Sequence, residues 1–217
     1  MRLVEDSVLE RGNIMAKFIA ISGPSVTGKS SLVEYLSSHQ ELKDAIISPD
    51  FHALAWNDLV NKGIFLEFTD ITDDSGYMCC YLYKVIDSYN QYIEEHRNFP
   101  GLVILDGCWI DLTVYAYLNM WYLRTIKSVQ EDVFNRILKY SNEISKVYFT
   151  KASDEKYPID KYRLRGKMTT FRMNRPLEIT LYKVFSALAE SSVSLENAEI
   201  AGDSLAILSD LKKVGYL

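Results

Sequence analysis

The sequence predicts an α/β fold of three layers, in which a parallel sheet of about five strands is covered by helices on both faces. Two observations lead to this prediction. Short apolar segments of strand length alternate along the 217-residue chain with longer segments that have helical periodicity. The apolar segments are hydrophobic without alternation, which is typical of parallel strands buried on both faces.

The predicted strands are short and are distributed along the whole chain. The first runs directly into a glycine-rich loop, and the third is the most continuously apolar. Two segments near the C-terminus are alternatives for the fifth strand. In chain order, the predicted strands are residues 17–22, 45–48, 102–105, 147–149 and either 193–195 or 199–201.

The predicted helices fill the spaces between these strands. Asp203 is expected to cap a last amphipathic helix, because aspartate is a favoured N-cap residue. Its apolar side would carry Leu205, Leu208 and Leu211. A long helical region is expected to break near Thr125. The other predicted helices are residues 29–38, 52–62, 76–96, 112–140 and 177–190.

Residues 15–217 are predicted to form a single domain, which the chain length allows. Met15 begins MAKFIAISG, a normal start for a protein that opens on its first strand. Residues 1–14 are therefore interpreted as a poorly packed, disordered N-terminal extension or as a mis-assigned translation start. No signal peptide is recognisable in them, because an apolar core is missing.

The stretch ISGPSVTGKSSL, residues 21–32, contains the phosphate-binding pattern G-x-x-x-x-G-K-[ST] without a mismatch. Gly23 and Gly28 let backbone N–H groups approach phosphate oxygens, and the following helix adds its dipole. Lys29 supplies a charge for the outer phosphates, and the Ser30 hydroxyl can ligate Mg²⁺. The residues predicted to hold the nucleotide are Gly23, Pro24, Ser25, Val26, Thr27, Gly28, Lys29, Ser30 and Ser31.

Two carboxylates follow predicted strands and should face the same cleft as the phosphate loop. Asp50 ends the second strand and Asp106 ends the third, and ligands of parallel sheets bind at the carboxyl ends of the strands. One carboxylate can hold Mg²⁺, which we assign to Asp106 with Ser30, and the other can accept a proton from an attacking hydroxyl. Asp50 could instead be a helix N-cap, and Asp106 could be a turn former before Gly107.

A basic segment, residues 151–175, follows the fourth predicted strand. We expect it to be a lid whose Arg163 and Arg165 stabilise the charge of a transferred phosphoryl group. A solvated basic face and a patch for a nucleic-acid strand are the alternatives. The lid is favoured because the segment contrasts with an acidic remainder.

Aromatic residues lie in the segments that should flank an acceptor site. Trp56 and Tyr81 are the first candidates for stacking on a base, although core packing is the better interpretation for any single aromatic residue. Trp109 follows the third strand and is a further candidate. His52 lies near the predicted site, but a surface or helix-end histidine is the preferred interpretation.

Together these residues resemble the nucleoside and nucleoside-monophosphate kinases, especially the deoxynucleoside kinase and thymidylate kinase branch. Pro49-Asp50 with Trp56 resembles a motif of that branch in which a carboxylate, often after proline and followed by a tryptophan, contacts the sugar hydroxyl of the acceptor. Asp106-Gly107 and the segment 108–116 resemble its third-strand motif and tyrosine-rich helix, which makes Asp111 a candidate substrate-binding residue. The segment 162–167, YRLRGK, resembles its arginine-rich lid.

One position departs from that family's pattern. The family has an arginine after the third-strand carboxylate, where this chain has Gly107. Arg124 or an arginine of the basic segment is a candidate substitute. The residues Ser22-Gly23-Pro24-Ser25 also resemble guanylate kinase, but the serine, tyrosine and arginine cluster of that family is not seen.

The function predicted from the sequence is phosphoryl transfer from ATP, with Mg²⁺, to a nucleoside or nucleoside monophosphate. A net charge of −5 argues against a general nucleic-acid or membrane binder, and three cysteines without a pairing pattern are typical of a reducing, cytoplasmic location. Three alternatives stay open: another acceptor such as a modified base in DNA or a small metabolite, a nucleotide-hydrolysing switch or motor, and a non-catalytic binding module. A homodimer is also left open.

Overall fold

The computed structural model describes residues 15–24, 27–64, 75–122, 124–150, 175–189, 191–195 and 200–217. A five-stranded sheet crosses this part of the chain, with strands β1 (Lys17–Ser22), β2 (Ile46–Ile47), β3 (Leu102–Asp106), β4 (Ile144–Thr150) and β5 (Ser192–Leu195). Its order is β2-β3-β1-β4-β5, and every neighbouring pair is parallel. The predicted α/β class is therefore confirmed.

Seven α-helices lie in the described residues. Two 3₁₀ turns, Gln40–Leu42 and Ser141–Glu143, add short connections. The helices are α1 (Lys29–Ser37), α2 (Phe51–Asn61), α3 (Ser75–His96), α4 (Trp109–Tyr122), α5 (Lys127–Leu138), α6 (Arg175–Leu188) and α7 (Ile200–Lys213).

The central strand β1 separates two hydrophobic cores because its side chains alternate between the faces of the sheet. Phe18 and Ala20 belong to the larger core, which also contains buried residues of α2, α3, α4, α5 and α6. Ile19 and Ile21 belong to the other core, which α1 and α7 complete. Helices on both faces of the sheet give the three predicted layers.

The break in the long helical region between β3 and β4 is confirmed near Thr125. Arg124 has φ 51°, in the left-handed region, and helix α5 resumes only at Lys127. The Thr125 N–H donates to the Met120 carbonyl at 3.0 Å, which closes the end of α4. The interruption makes α4 and α5 two separate helices.

Two expectations for the last helix are wrong. Asp203 is not its N-cap, because α7 begins three residues earlier, at Ile200, and Asp203 lies buried within its first turn. Leu205 does not face the core, since 63% of its surface is exposed, whereas Leu208 and Leu211 are buried. The face of the helix that packs on the core therefore includes Leu208 and Leu211 but not Leu205.

The outer strand β2 is two residues long, shorter than the predicted segment 45–48. It pairs with β3 alone, and the pairing ends where Pro49 supplies no N–H. Ser48 still donates its backbone N–H to the Ile104 carbonyl at 2.9 Å. This contact keeps the chain beside β3 up to the point where Asp50 follows.

Some predicted features lie outside the described residues. These are the N-terminal extension 1–14 and nearly all of the basic segment, residues 151–174. None of the helices that the structure does describe combines the length and apolarity needed to cross a membrane.

Candidate active site

The phosphate loop connects β1 to α1 at the carboxyl edge of the sheet. Gly23 has φ 142° and Gly28 has φ 89°, and side chains rarely tolerate such positive angles. A Cβ on Gly23 would also lie 2.6 Å from the Thr150 carbonyl oxygen. Glycine is therefore required at Gly23 by both conformation and space, as a tight backbone cradle for an anion demands.

Thr27 and Thr150 fasten this loop to the end of β4. The Thr27 hydroxyl donates to the Pro24 carbonyl at 2.8 Å and hydrogen-bonds the Thr150 hydroxyl. With the Thr27 proton directed to Pro24, the single hydroxyl proton of Thr150 can be donated to Thr27 or to the Ser22 carbonyl at 3.2 Å. Both threonines are buried, so these contacts are shielded from water. Two other predicted loop residues, Ser25 and Val26, lie outside the described residues.

Lys29 lies at the start of α1, with its ammonium group turned back toward the loop. Nζ donates to the Gly23 carbonyl at 2.6 Å and to the Pro24 carbonyl at 3.2 Å. It also lies 3.7 Å from Asp111 Oδ1. The ammonium is thus held where an incoming phosphate would meet it.

The two residues predicted to hold the metal lie side by side. The Asp106 carboxylate at the end of β3 hydrogen-bonds the Ser30 side chain. Burial raises the pKa of Asp106, and the hydrogen bond with Ser30 and the charge of Lys29 oppose that shift. A bound cation would favour the ionised carboxylate further.

This pair fits Mg²⁺ in particular, since Mg²⁺ prefers oxygen ligands and usually combines one or two protein groups with waters and substrate phosphates. No cluster of three or more histidine, cysteine, aspartate or glutamate side chains suited to a metal occurs among the described residues. A cage built entirely from such side chains is therefore not the arrangement in this part of the chain.

Asp111, predicted to bind substrate, is fixed in the first turn of α4. Its Oδ2 accepts from the Cys108 N–H at 2.9 Å, and its Oδ1 accepts from the Tyr182 hydroxyl at 3.0 Å. The same oxygen faces Lys29. Sequence reasoning missed Tyr182, because a tyrosine on an amphipathic helix is indistinguishable from a core residue in the pattern alone.

Asp50 caps α2, as the alternative interpretation of this residue expected. One oxygen, Oδ1, accepts from the N–H groups of His52 and Ala53 at 2.9 and 3.1 Å. The residue is exposed. Capping occupies one carboxylate oxygen, so the cap and a contact with an acceptor are compatible.

His52 is turned toward the interior of the site, contrary to the preferred interpretation of a surface or helix-end histidine. Its Nδ1 lies 3.0 Å from the Tyr81 hydroxyl, and its ring meets Tyr115 edge to face at a centroid distance of 4.8 Å. Burial lowers the pKa of His52, and the charges of Asp50 and Asp111 only partly oppose this shift. The imidazole is therefore neutral at pH 7.

The remaining predicted site residues differ in their surroundings. Tyr81 is 3% exposed and contacts His52, whereas Trp109 is buried in the larger core. Trp56 is partly buried against that core. Ser31 is exposed on the first turn of α1. Arg163 and Arg165 lie outside the described residues.

The backbone accounts for glycine at position 107. Gly107 has φ 88°, which any side chain would strain, although a Cβ would meet the Asp111 carboxyl carbon at an ordinary 3.6 Å. Arg124 follows the far end of α4, whose 14 residues span about 20 Å. The length of α4 therefore separates Arg124 from the Gly107 end of this helix, and its substitution for the missing arginine stays a prediction.

Comparisons with solved structures show similar folds. Deoxyadenosine kinase from M. mycoides, with the products dCMP and a flexible dCDP bound, matches with a TM-score of 0.62 and 13% identity over 90% of this chain and 99% of that one. Thymidylate kinase from Candida albicans matches with a TM-score of 0.55 and 13% identity over 93% of each chain.

The NadR protein in complex with NR matches with a TM-score of 0.60 and 16% identity over 91% of this chain and half of that one. No protein-family model and no curated protein matches the sequence. Over about nine-tenths of its length, the chain has the fold of the P-loop nucleoside and nucleotide kinases.

Proposed function

We propose that the protein transfers the γ-phosphoryl group of ATP, with Mg²⁺, to a nucleoside or a nucleoside monophosphate. The observation that carries this proposal is that two sets of polar side chains follow the carboxyl ends of neighbouring strands, β1, β2 and β3. Lys29 and the Ser30–Asp106 pair form a donor side. Asp50 and the His52–Tyr81 pair, whose imidazole is influenced by the charge of Lys29, would form an acceptor side.

On the donor side, Lys29 and the loop amides would hold the phosphates of ATP. Ser30 and Asp106 would hold Mg²⁺, which supplies neutralisation of the phosphate charge when it is bound. Asp106 is partly buried, so its carboxylate is shielded from bulk water. Shielding strengthens its interaction with any charge that enters the site.

On the acceptor side, Asp50 would orient or deprotonate the attacking hydroxyl through the oxygen that does not cap α2. Trp56, which is partly buried, would contribute apolar surface for the acceptor, and Asp111 would hold the Lys29 ammonium through their 3.7 Å ion pair. Arg163 and Arg165 would stabilise the transferred group from a lid.

The wider setting is also part of the proposal. We expect an enzyme of deoxyribonucleotide metabolism, because the deoxyadenosine kinase and thymidylate kinase folds cover nearly the whole chain. A cytoplasmic location is expected from the three cysteines without a pairing pattern. The net charge of −5 disfavours nucleic acid as a general partner. A homodimer is compatible with these features. The NadR match supports one second candidate, an acceptor of another class such as the NR bound to that protein.

The test is a measurement of ATP consumption, with Mg²⁺, across nucleosides, nucleoside monophosphates and NR. Wild-type protein should consume ATP only when one of the acceptors is present, and the phosphorylated product should appear in equal amount. Lys29→Ala should be inactive while its circular dichroism stays unchanged. Consumption without any acceptor would indicate a hydrolase instead, and ATP binding without turnover would indicate a binding module.

A further inference from the structure

The His52 side chain is held where three helices meet. The side chain projects from the first turn of α2. Its Nδ1 contacts the Tyr81 hydroxyl of α3, and its ring packs edge to face on Tyr115 of α4. Tyr81 and Tyr115 also contact each other, with ring centroids 6.1 Å apart. An imidazole held from three sides has a defined orientation, which a histidine on a solvated helix end lacks.

The charges around this imidazole belong to the candidate active site. Asp50, Asp111 and Lys29 are the charged groups that act on His52, and Asp50 also acts on Tyr81. These groups come from the start of α2, the start of α4 and the start of α1. The ring therefore lies close enough to the phosphate-loop lysine and to the carboxylate proposed to engage the acceptor to be influenced by both charges.

The contact with Tyr81 leaves one ring nitrogen for a ligand. Burial raises the pKa of Tyr81, so its hydroxyl keeps its proton, which can be donated to Nδ1 at 3.0 Å or to the His52 backbone carbonyl at 3.4 Å. The Nε2 atom receives no hydrogen bond from the residues that the structure describes. When Tyr81 donates to the nearer Nδ1, the proton of the neutral ring lies on Nε2, which is then a donor; when Tyr81 donates to the carbonyl, Nδ1 carries the proton and Nε2 is an acceptor.

We propose that His52 is an acceptor-binding residue that hydrogen-bonds an uncharged oxygen or nitrogen of the acceptor through Nε2, and that Tyr81 is the positioning residue that fixes its ring. The proposal rests on the proposed function, because it requires an acceptor beside Asp50. An uncharged partner is favoured, since the two carboxylates that act on the ring, Asp50 and Asp111, outnumber the one cation, Lys29, and a net negative surrounding disfavours an anion.

Two substitutions separate this role from a structural one. His52→Gln places a hydrogen-bonding group near the position of Nε2, whereas His52→Asn places one near Nδ1 and leaves the Nε2 position empty. We expect His52→Asn to raise the acceptor KM about tenfold, the effect of one lost hydrogen bond. His52→Gln should retain most of the acceptor affinity, and Tyr81→Phe should raise the acceptor KM less than His52→Asn does.

The controls are the binding of Mg-ATP, titrated without an acceptor, and the melting temperature. Both should be unchanged in His52→Asn. The assignment is overturned if the acceptor KM stays at the wild-type value, if Asn rather than Gln preserves it, or if ATP affinity and melting temperature fall with it. A wild-type protein that turns over no acceptor would instead overturn the proposed function, and with it this assignment.

Discussion

Lys29, which we propose contacts the phosphates of ATP, already has several polar partners in the structure. Its ammonium contacts the Gly23 carbonyl and faces Asp111, so part of its hydration has already been replaced. Asp111 stays fixed when the lysine turns to a ligand, because Cys108 and Tyr182 hold its two oxygens. The lysine can therefore exchange the loop carbonyls for phosphate oxygens without a rearrangement of α4.

Asp50 combines a structural and a proposed chemical role, and Asp50→Asn separates them. Asparagine caps helices about as well as aspartate, so the melting temperature should not change. Turnover should fall about 10²-fold or more if the carboxylate acts as a base, while ATP binding persists. Steady-state kinetics and a binding titration would measure the two effects.

Asp50→Ala is the matched control, because it removes the cap as well as the charge and should cost about 1 kcal/mol of stability. Normal turnover in Asp50→Asn would show that the residue is a helix cap alone.

At the scale of residues, the sequence motif was sufficient to select Gly23, Lys29 and Ser30, because a loop of fixed length constrains their positions locally. The roles of these residues and of Asp106 stay predictions. His52 and Tyr182 could not be selected in advance, because their side chains are oriented by contacts with α3 and α4. Such contacts across helices leave no periodic signal in one segment.

At the scale of elements, helix α7 offers a comparison between two leucines three positions apart. Leu208 is 5% exposed and packs in the core shared with α1, whereas 63% of the surface of Leu205 is exposed. Leu208→Ala should lower the free energy of unfolding by about 2–4 kcal/mol, because it leaves a cavity. Leu205→Ala should change it by less than about 0.5 kcal/mol.

Urea denaturation with a common slope would measure both leucine variants. Equal losses of stability would contradict the packing of α7 described above.

The hydrophobic pattern of the sequence predicts the type and order of most helices and strands, but it does not predict where each of them begins and ends. The apolar strands β1 and β3 and the long helix α3 have patterns strong enough to fix their type and approximate extent. The start of α7 differs from the prediction because an aspartate inside the first turn has the same local pattern as an N-cap aspartate. The length of β2 depends on its single neighbour in the sheet, which a local pattern does not contain.

At the scale of the whole molecule, nucleotide binding should be visible as thermal stabilisation. Mg-ATP at 100 times its dissociation constant adds about 2.7 kcal/mol to the free energy of unfolding. For a chain of this size, that corresponds to a rise in melting temperature of roughly 5–11 °C. Differential scanning fluorimetry would measure the rise, and Lys29→Ala should abolish most of it.

ADP without Mg²⁺ is the comparison for that experiment and should stabilise less, because the metal and the outer phosphate are both missing. An equal shift in wild type and Lys29→Ala would place the nucleotide away from the phosphate loop.

The central position of β1 in the sheet delays its pairing during synthesis, because both of its neighbours are made later. The strand that carries the phosphate loop is made early, but its two neighbours are β3 and β4, so Ile19 must wait for Ile104 on one side and Lys146 on the other. Thr150, which fastens the loop, is made later still. Pairing over such separations is slow to form. In a nascent chain, the complete phosphate-loop motif is therefore present long before the strands that support its folded conformation have been made.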